Sequence, residues 1–265
     1  MLSKNTKGVE TKMGDAPLIS MQKITKRFGG ITALEDVDLE INSGEVLAIV
    51  GDNGAGKSTL IKILTGVYQP TQGAIKMDGK VLNLTSHADS IEMGIDAVYQ
   101  TLALADHLAP AAYLFLGSEL TQSVLGIKLL DNKKMRSEAT RVLKERLGVT
   151  LRSMDAETSS LSGGQRQAVA IARAVYNSNL RVLVMDEPTA ALGPQETART
   201  LTLIQALRKQ GLAVILISHS LDDVFEVSDR IQVMRRGRRV GVVNTKKSNS
   251  NEVLGLIVGA VNEDV

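Results

Sequence analysis

Nine consecutive residues, Gly51, Asp52, Asn53, Gly54, Ala55, Gly56, Lys57, Ser58 and Thr59, have the composition of a phosphate cradle. They fit the spacing G-x-x-x-x-G-K-[ST], with an extra glycine at 54. Residues poor in side chain let backbone N–H groups close on an anion. A helix that starts there adds unpaired amides and the positive end of its dipole. Lys57 can then reach the β- and γ-phosphates, and Ser58 can offer a hydroxyl to Mg²⁺. The motif requires a buried strand before it and a helix after it. Residues 45–50 (EVLAIV) form a short, nearly continuous apolar run, as buried strands do. Residues 57–66 read as a helix ended by its glycine.

A second chemical element is the run 181–187, RVLVMDE, a buried strand ending in two acids. Carboxylates at the C-terminal end of a parallel strand face the ligand crevice. Asp186 suits the Mg²⁺ shell, directly or through water. Glu187 faces differently and can polarise a water for in-line attack on a γ-phosphate. A positioned base of this kind contributes about 10²–10⁴-fold. A protein that only bound phosphate would not need it. A third element is Leu161, Ser162, Gly163, Gly164 and Gln165, a second glycine-rich loop before a helical stretch. It is another helix N-terminus able to receive an anion.

The elements that must position these groups follow from hydrophobic periodicity. Residues 18–28 and 36–41 alternate apolar and polar, as half-buried strands do. A hairpin is expected over 74–84 around Asp78-Gly79. From about 100 to 172 the chain is mainly helical, notably over 133–147 and 164–176. Strands at 181–185, 213–217 and 230–234 then alternate with helices at 195–210 and 221–227. This rhythm predicts an α/β domain with a mainly parallel sheet covered on both faces. The helical stretch is an insertion into it, and the first strands form an antiparallel β subdomain. Residues 1–16 read as a loose tail, 17–250 as the nucleotide-binding domain, and 251–265 as a C-terminal tail or helix.

Composition sets the outer bounds. With 31 basic and 29 acidic residues the chain carries +2, which is no nucleic-acid footprint. It has no cysteine, so disulfides, thiolate metal sites and cysteine nucleophiles are excluded. No window approaches the roughly 18 consecutive apolar residues of a membrane-spanning helix.

In combination these motifs resemble the ATP-binding subunits of ABC transporters. Residues 51–59 are similar to Walker A, 182–187 to Walker B with its catalytic glutamate, and 161–165 to the family signature. Gln100 in VYQ resembles the Q-loop glutamine, His219 in ISHS the switch histidine, and Phe28 the aromatic that stacks on adenine. The resemblance runs from about 18 to 243, in the family's motif order. It implies a P-loop NTPase fold, ATP and Mg²⁺ as ligands, and a head-to-tail homodimer. In such a dimer Leu161 to Gln165 of one copy close on the γ-phosphate held by the other. Glu187, His219 and Gln100 would be catalytic, with Ser58, Gln100 and Asp186 around the metal.

The stretches GDNGAGKSTLIKILTG, GIDAVYQTLAL, LSGGQRQAVAIARA and MDEPTAALG are similar to ATPases of monosaccharide importers, in particular a single-domain, fructose-type variant. That implies transmembrane permease subunits as partners, indirectly a sugar-binding protein, and a cytoplasmic place on the inner face of the membrane. Three residues depart from the pattern. Gly193 stands where the D-loop usually has aspartate, and Tyr113 and Ser118 stand where sugar importers usually have asparagine and arginine. The alternative reading is a soluble assembly ATPase of the iron–sulfur scaffold type, with no permease. Repair-type ABC proteins carry a long coiled-coil insertion, whereas only about 130 residues separate Lys57 from Asp186.

Overall fold

The computed structural model describes residues 16–100, 105–124 and 126–260. The tail expected at 1–16 lies, except for Ala16, outside the described residues, as do 101–104 and 261–265. The first alternating segments become β1 (Ile19–Phe28) and β2 (Ile31–Ile41), which pair antiparallel with several register shifts. β2 starts five residues before the expected 36. The positive φ of 48° at Asp36 interrupts its side-chain alternation, and this hides its first half in the sequence.

The apolar run is β3 (Val46–Val50), buried at every residue, and it leads through the glycine loop into α1 (Lys57–Leu64). β4 (Gln72–Met77) and β5 (Lys80–Leu82) form the expected hairpin. Its turn residues Asp78 and Gly79 both have positive φ, as a two-residue primed turn requires. Strands β2-β1-β4-β5 make one antiparallel sheet. Two short elements follow, α2 (His87–Glu92), with a capping box at Ser86, and β6 (Ile95–Val98).

The inserted region contains α3 (Pro110–Leu114), the hairpin β7 (Thr121–Val124) and β8 (Ile127–Leu130), α4 (Asn132–Arg141) and α5 (Gly163–Tyr176). The hairpin is an addition to the mainly helical expectation. The helix expected over 133–147 is present, but it widens into a π turn at Val142–Arg146. That turn keeps Val142, Leu143 and Leu147 all buried. Phe115 is fully buried and meets the Tyr176 ring edge-on at 4.8 Å, which ties α3 to the end of α5.

The α/β rhythm then resumes with β9 (Val182–Asp186), α6 (Pro194–Lys209), β10 (Ala213–Ile217), α7 (Leu221–Val227), β11 (Arg230–Arg235), β12 (Arg238–Asn244) and α8 (Ser250–Val258). The second sheet has the order β12-β11-β3-β10-β9-β6, parallel except at the β12 edge. One hydrophobic cluster fills the space between the two sheets around α1, and another joins this sheet to α5, α6 and the inserted region. β3, β10 and β9 are consecutive neighbours. The chain therefore leaves their C-terminal ends at 51, 218 and 187 along one edge, where ligands of open parallel sheets bind.

Candidate functional site

The glycine loop has the geometry it has because two of its residues cannot carry a side chain. Gly51 has φ 147°, and a Cβ there would lie 2.1 Å from the carbonyl oxygen of Met234. Gly56, the N-cap of α1, has φ 101°, and a Cβ there would lie 2.6 Å from Leu34 Cδ2. The loop is braced from outside. Ala55 donates to the Asp52 carbonyl at 3.1 Å, Gly237 donates to the Ala55 carbonyl at 3.1 Å, and Glu35 donates to the Gly237 carbonyl at 2.9 Å. The arginine-flanked turn of β11–β12 thus ties the loop to β2.

Lys57 is buried with its ammonium turned into the loop. It donates to the carbonyls of Gly51 at 2.6 Å and Asp52 at 3.0 Å. Burial pushes its pKa down, against the raising fields of Glu187, Asp186 and Asp52. The buried cation is thus held by two backbone carbonyls of the loop itself.

At the end of β9 the chain turns sharply. Glu187 has φ 52°, and its amide donates to the Ile217 carbonyl at 2.8 Å. A non-glycine residue in this region is uncommon. Here it re-aims the side chain relative to the strand. Both carboxylate oxygens of Glu187 are engaged: Oε1 lies 2.5 Å from His219 Nε2, and Oε2 accepts from Gln100 Nε2 at 3.2 Å. Asp186 has its pKa raised, first by burial and then by the neighbouring Glu187 charge, with Lys57 opposing.

Asn53, Gly54, Ala55, Gly56, Lys57, Ser58, Thr59, Gln100, Asp186, Glu187 and His219 line one cavity of about 580 Å³. Residues that approach from four separate stretches of sequence are therefore brought together. Gly51 and Asp52 shape the loop from behind. Phe28 stands outside this lining, with its ring edge-on to Tyr68 at 5.2 Å and Lys26 Nζ 5.0 Å away. Ile31, Thr32, Ala33 and Arg236 also line the cavity. None has a sequence signal, because they come from an irregular strand start and from a distant turn.

The second glycine loop is elsewhere. Ser162 is the N-cap of α5, accepting from the Gln165 amide at 3.4 Å, and Gln165 Oε1 accepts from the Ser162 amide at 3.1 Å. Ser162, Gly164 and Gln165 line a different cavity of about 710 Å³ between α5 and α6. Leu161 is buried beneath the loop. None of residues 161–165 lines the phosphate cavity of its own chain.

No cluster of three or more His, Cys, Asp or Glu side chains able to hold a metal occurs among the described residues. The oxygen donors Ser58, Gln100 and Asp186 share the cavity, and a hydroxyl, an amide and one carboxylate suit Mg²⁺ that shares its shell with phosphates and water. Burial first and the Glu187 charge second raise the pKa of Asp186, and a cation bound there would oppose both.

Comparison with known proteins gives concordant results. A family profile described as "ABC transporter" matches residues 34–190. The chain is 41% identical over 251 residues to the fructose import ATP-binding protein of Rhizobium meliloti, covering 94% of this chain and 96% of that one. It is 41% identical over 236 residues to the xylose/arabinose import ATP-binding protein of Sulfolobus acidocaldarius, covering 89% and 92%. It is 42% identical over 247 residues to a ribose import ATP-binding protein of Escherichia coli O157:H7, of which it spans 47%. Among solved structures, a nucleotide-free ATP-binding cassette from an ABC transporter superposes with TM-score 0.75 at 25% identity, covering 92% and 96%. A dimeric cassette in a post-hydrolysis state, bound to ADP and Pi, superposes with TM-score 0.71 at 26% identity, covering 86% and 98%.

Proposed function

The chain belongs to the ABC transporter family, and from that premise we propose that it is the ATP-hydrolysing subunit of a monosaccharide importer, working as a dimer of two copies on a separate permease. The observation that carries this reading is the division of the phosphate-binding parts. One cavity gathers the glycine loop, Asp186, Glu187, Gln100 and His219, while Ser162 to Gln165 of the same chain stand apart from it.

ATP enters with its β- and γ-phosphates on the loop amides. Lys57 exchanges the carbonyls of Gly51 and Asp52 for phosphate oxygens, which offsets the burial of its charge. The base stacks by the β1–β2 turn, where Phe28 is part-exposed. Ser58, Gln100 and Asp186 would hold Mg²⁺, which when bound would neutralise part of the phosphate charge. Glu187 orients a water in line with the bond between the γ-phosphorus and the β-bridging oxygen and takes its proton as the water oxygen bonds to phosphorus, that bridging bond breaks, and ADP and phosphate are left. His219, already paired with Glu187, turns its Nε2 to the γ-phosphate and holds the water on line. Ser162 and Gly164 of the second copy supply further donors to the γ-phosphate.

Sugar import is supported by the fructose, xylose/arabinose and ribose import relatives. No helix among the described residues is long and apolar enough to cross a membrane. On this reading a separate permease, by analogy with the import ATP-binding relatives, places the subunit on the inner membrane face. Recovering the tagged protein from gently solubilised membranes, and identifying what accompanies it, tests the assignment. A permease together with sugar-stimulated ATP hydrolysis is expected. A soluble scaffold as the sole partner would instead support the iron–sulfur assembly reading. Folded protein that takes up no Mg·ATP would overturn both.

A further inference from the structure

The N-terminus of α5 is in contact with a carboxylate. Glu196, in the first turn of α6, lays its side chain along Gly163 and Gly164. A Cβ at Gly163 would be 3.3 Å from Glu196 Oε2, and a Cβ at Gly164 would be 3.2 Å from Glu196 Cβ and 3.6 Å from Cδ. Leu192 closes on the same spot, 2.8 Å from the Cβ position of Gly163. Two residues without side chains are thus what allows the 192–196 segment to lie on the helix end. The Glu196 carboxyl is held below the usual carboxylate range, first by the Ser162 hydroxyl and then by the Gly164 and Gly193 amides beside it.

One carboxylate from the first turn of α6 therefore lies against the N-terminus of α5. The segment it holds continues directly from Glu187, by way of Ala190 donating to the Glu187 carbonyl at 3.3 Å and Leu192 to the Thr189 carbonyl at 3.1 Å. Glu196 is also the one acid between 188 and 196, because position 193 is glycine. The donors it lies beside are those that the shared-site reading assigns to the partner's γ-phosphate. Carboxylate and phosphate cannot share them, since both are anions competing for the same hydroxyl and amides.

We propose that Glu196 is a positioning residue that holds the 162–164 donors against the segment leaving Glu187, and that the partner's γ-phosphate displaces it when two chains close. The inference rests on the shared-site reading. It makes dimer closure a ligand exchange, and it links arrival of the partner's nucleotide to release of the segment that follows the catalytic glutamate.

The two possible roles of Glu196 differ in sign. A merely structural cap, once removed, should weaken closure. A resident anion, once removed, should strengthen it. The test uses the full chain with Glu187→Gln to block hydrolysis, with and without Glu196→Gln, and with Glu196→Ala as the second variant. Sedimentation reads the Mg·ATP concentration at half-maximal dimer, a fluorescent ATP analogue reads binding to the monomer, and thermal unfolding confirms that each variant folds. Glu196→Gln keeps the shape and loses the charge. It is expected to lower the half-maximal ATP concentration about tenfold, as a charge-assisted bond gives way to a neutral one, with monomer binding unchanged. An unchanged or higher concentration overturns the proposal. If the Glu187→Gln parent forms no ATP-dependent dimer, the shared site itself is wrong and the proposal goes with it. If the parent dimerises and Glu196→Gln does not shift it, the proposal alone fails.

Discussion

His219 Nε2 and Glu187 Oε1 lie 2.5 Å apart, across the ends of the neighbouring parallel strands β10 and β9. The Glu187 side chain is 13% exposed and that of His219 47%. The carboxylate is held in place and the imidazole remains open to the cavity. This is the arrangement expected of a base whose orientation is set by a neighbour that also reaches substrate.

Replacing Glu187 by Gln should cut turnover by about 10²–10⁴-fold while ATP still binds. The protein should then accumulate as a nucleotide-loaded dimer. Phosphate release and gel filtration read the two effects separately. Turnover near that of the native chain would remove Glu187 from the role of base.

A Ser162→Arg chain mixed with a Lys57→Ala chain should recover one working site. In that mixed dimer, one composite site takes its intact loop from the first chain and its intact Ser162 from the second. Each variant alone should be nearly inactive. No recovery in a mixed dimer verified by two tags would show that Ser162 does not act on the partner's nucleotide.

Asp186→Asn should stabilise the nucleotide-free protein while abolishing its response to Mg·ATP. Burial and the Glu187 charge raise the folded pKa above the ordinary 3.8. The folded state then binds the proton more tightly than the unfolded state. Stability falls as pH rises from about the ordinary carboxylate value through the raised one, and that loss persists at neutral pH. The Asn variant should lack this slope. Thermal melts across the acid range compare the two proteins, and an Asn variant that melts lower at neutral pH contradicts the argument.

Gly51→Ala should be more damaging than Gly54→Ala. Both positions have positive φ, but a Cβ at 51 would collide with the Met234 carbonyl, whereas at 54 nothing lies within 4 Å. Alanine at 54 should cost about 1–2 kcal/mol. At 51 the cost should exceed that, with a lower melting temperature and weaker ATP binding. Equal effects in urea denaturation would count against the backbone account.

Much of this molecule is readable from its residues in order. The strand–glycine loop–helix unit at 46–64 is legible because a continuous apolar run, three glycines and a short amphipathic helix are all local features. The acidic end of β9 is legible for the same reason. Two kinds of feature are less legible. β2 begins at Ile31 rather than 36, because a kink at Asp36 breaks the two-residue period on which strand reading depends. The β7–β8 hairpin has residues 127–130 all exposed, so burial imposes no alternation there.

The residue types of the site, the loop that cradles phosphate and the order of its motifs follow from the chain alone, since each depends on neighbours a few positions away. The pairing of Glu187 with both His219 and Gln100, the brace from Gly237 to Ala55, the entry of Ile31 to Ala33 and Arg236 into the cavity, and the contact of Glu196 with Gly163 and Gly164 are tertiary. They join residues that are distant in sequence, or that meet only where two helices or strands end together. No local pattern records them, because the parallel sheet, by placing β3, β10 and β9 side by side, decides which loops share an edge.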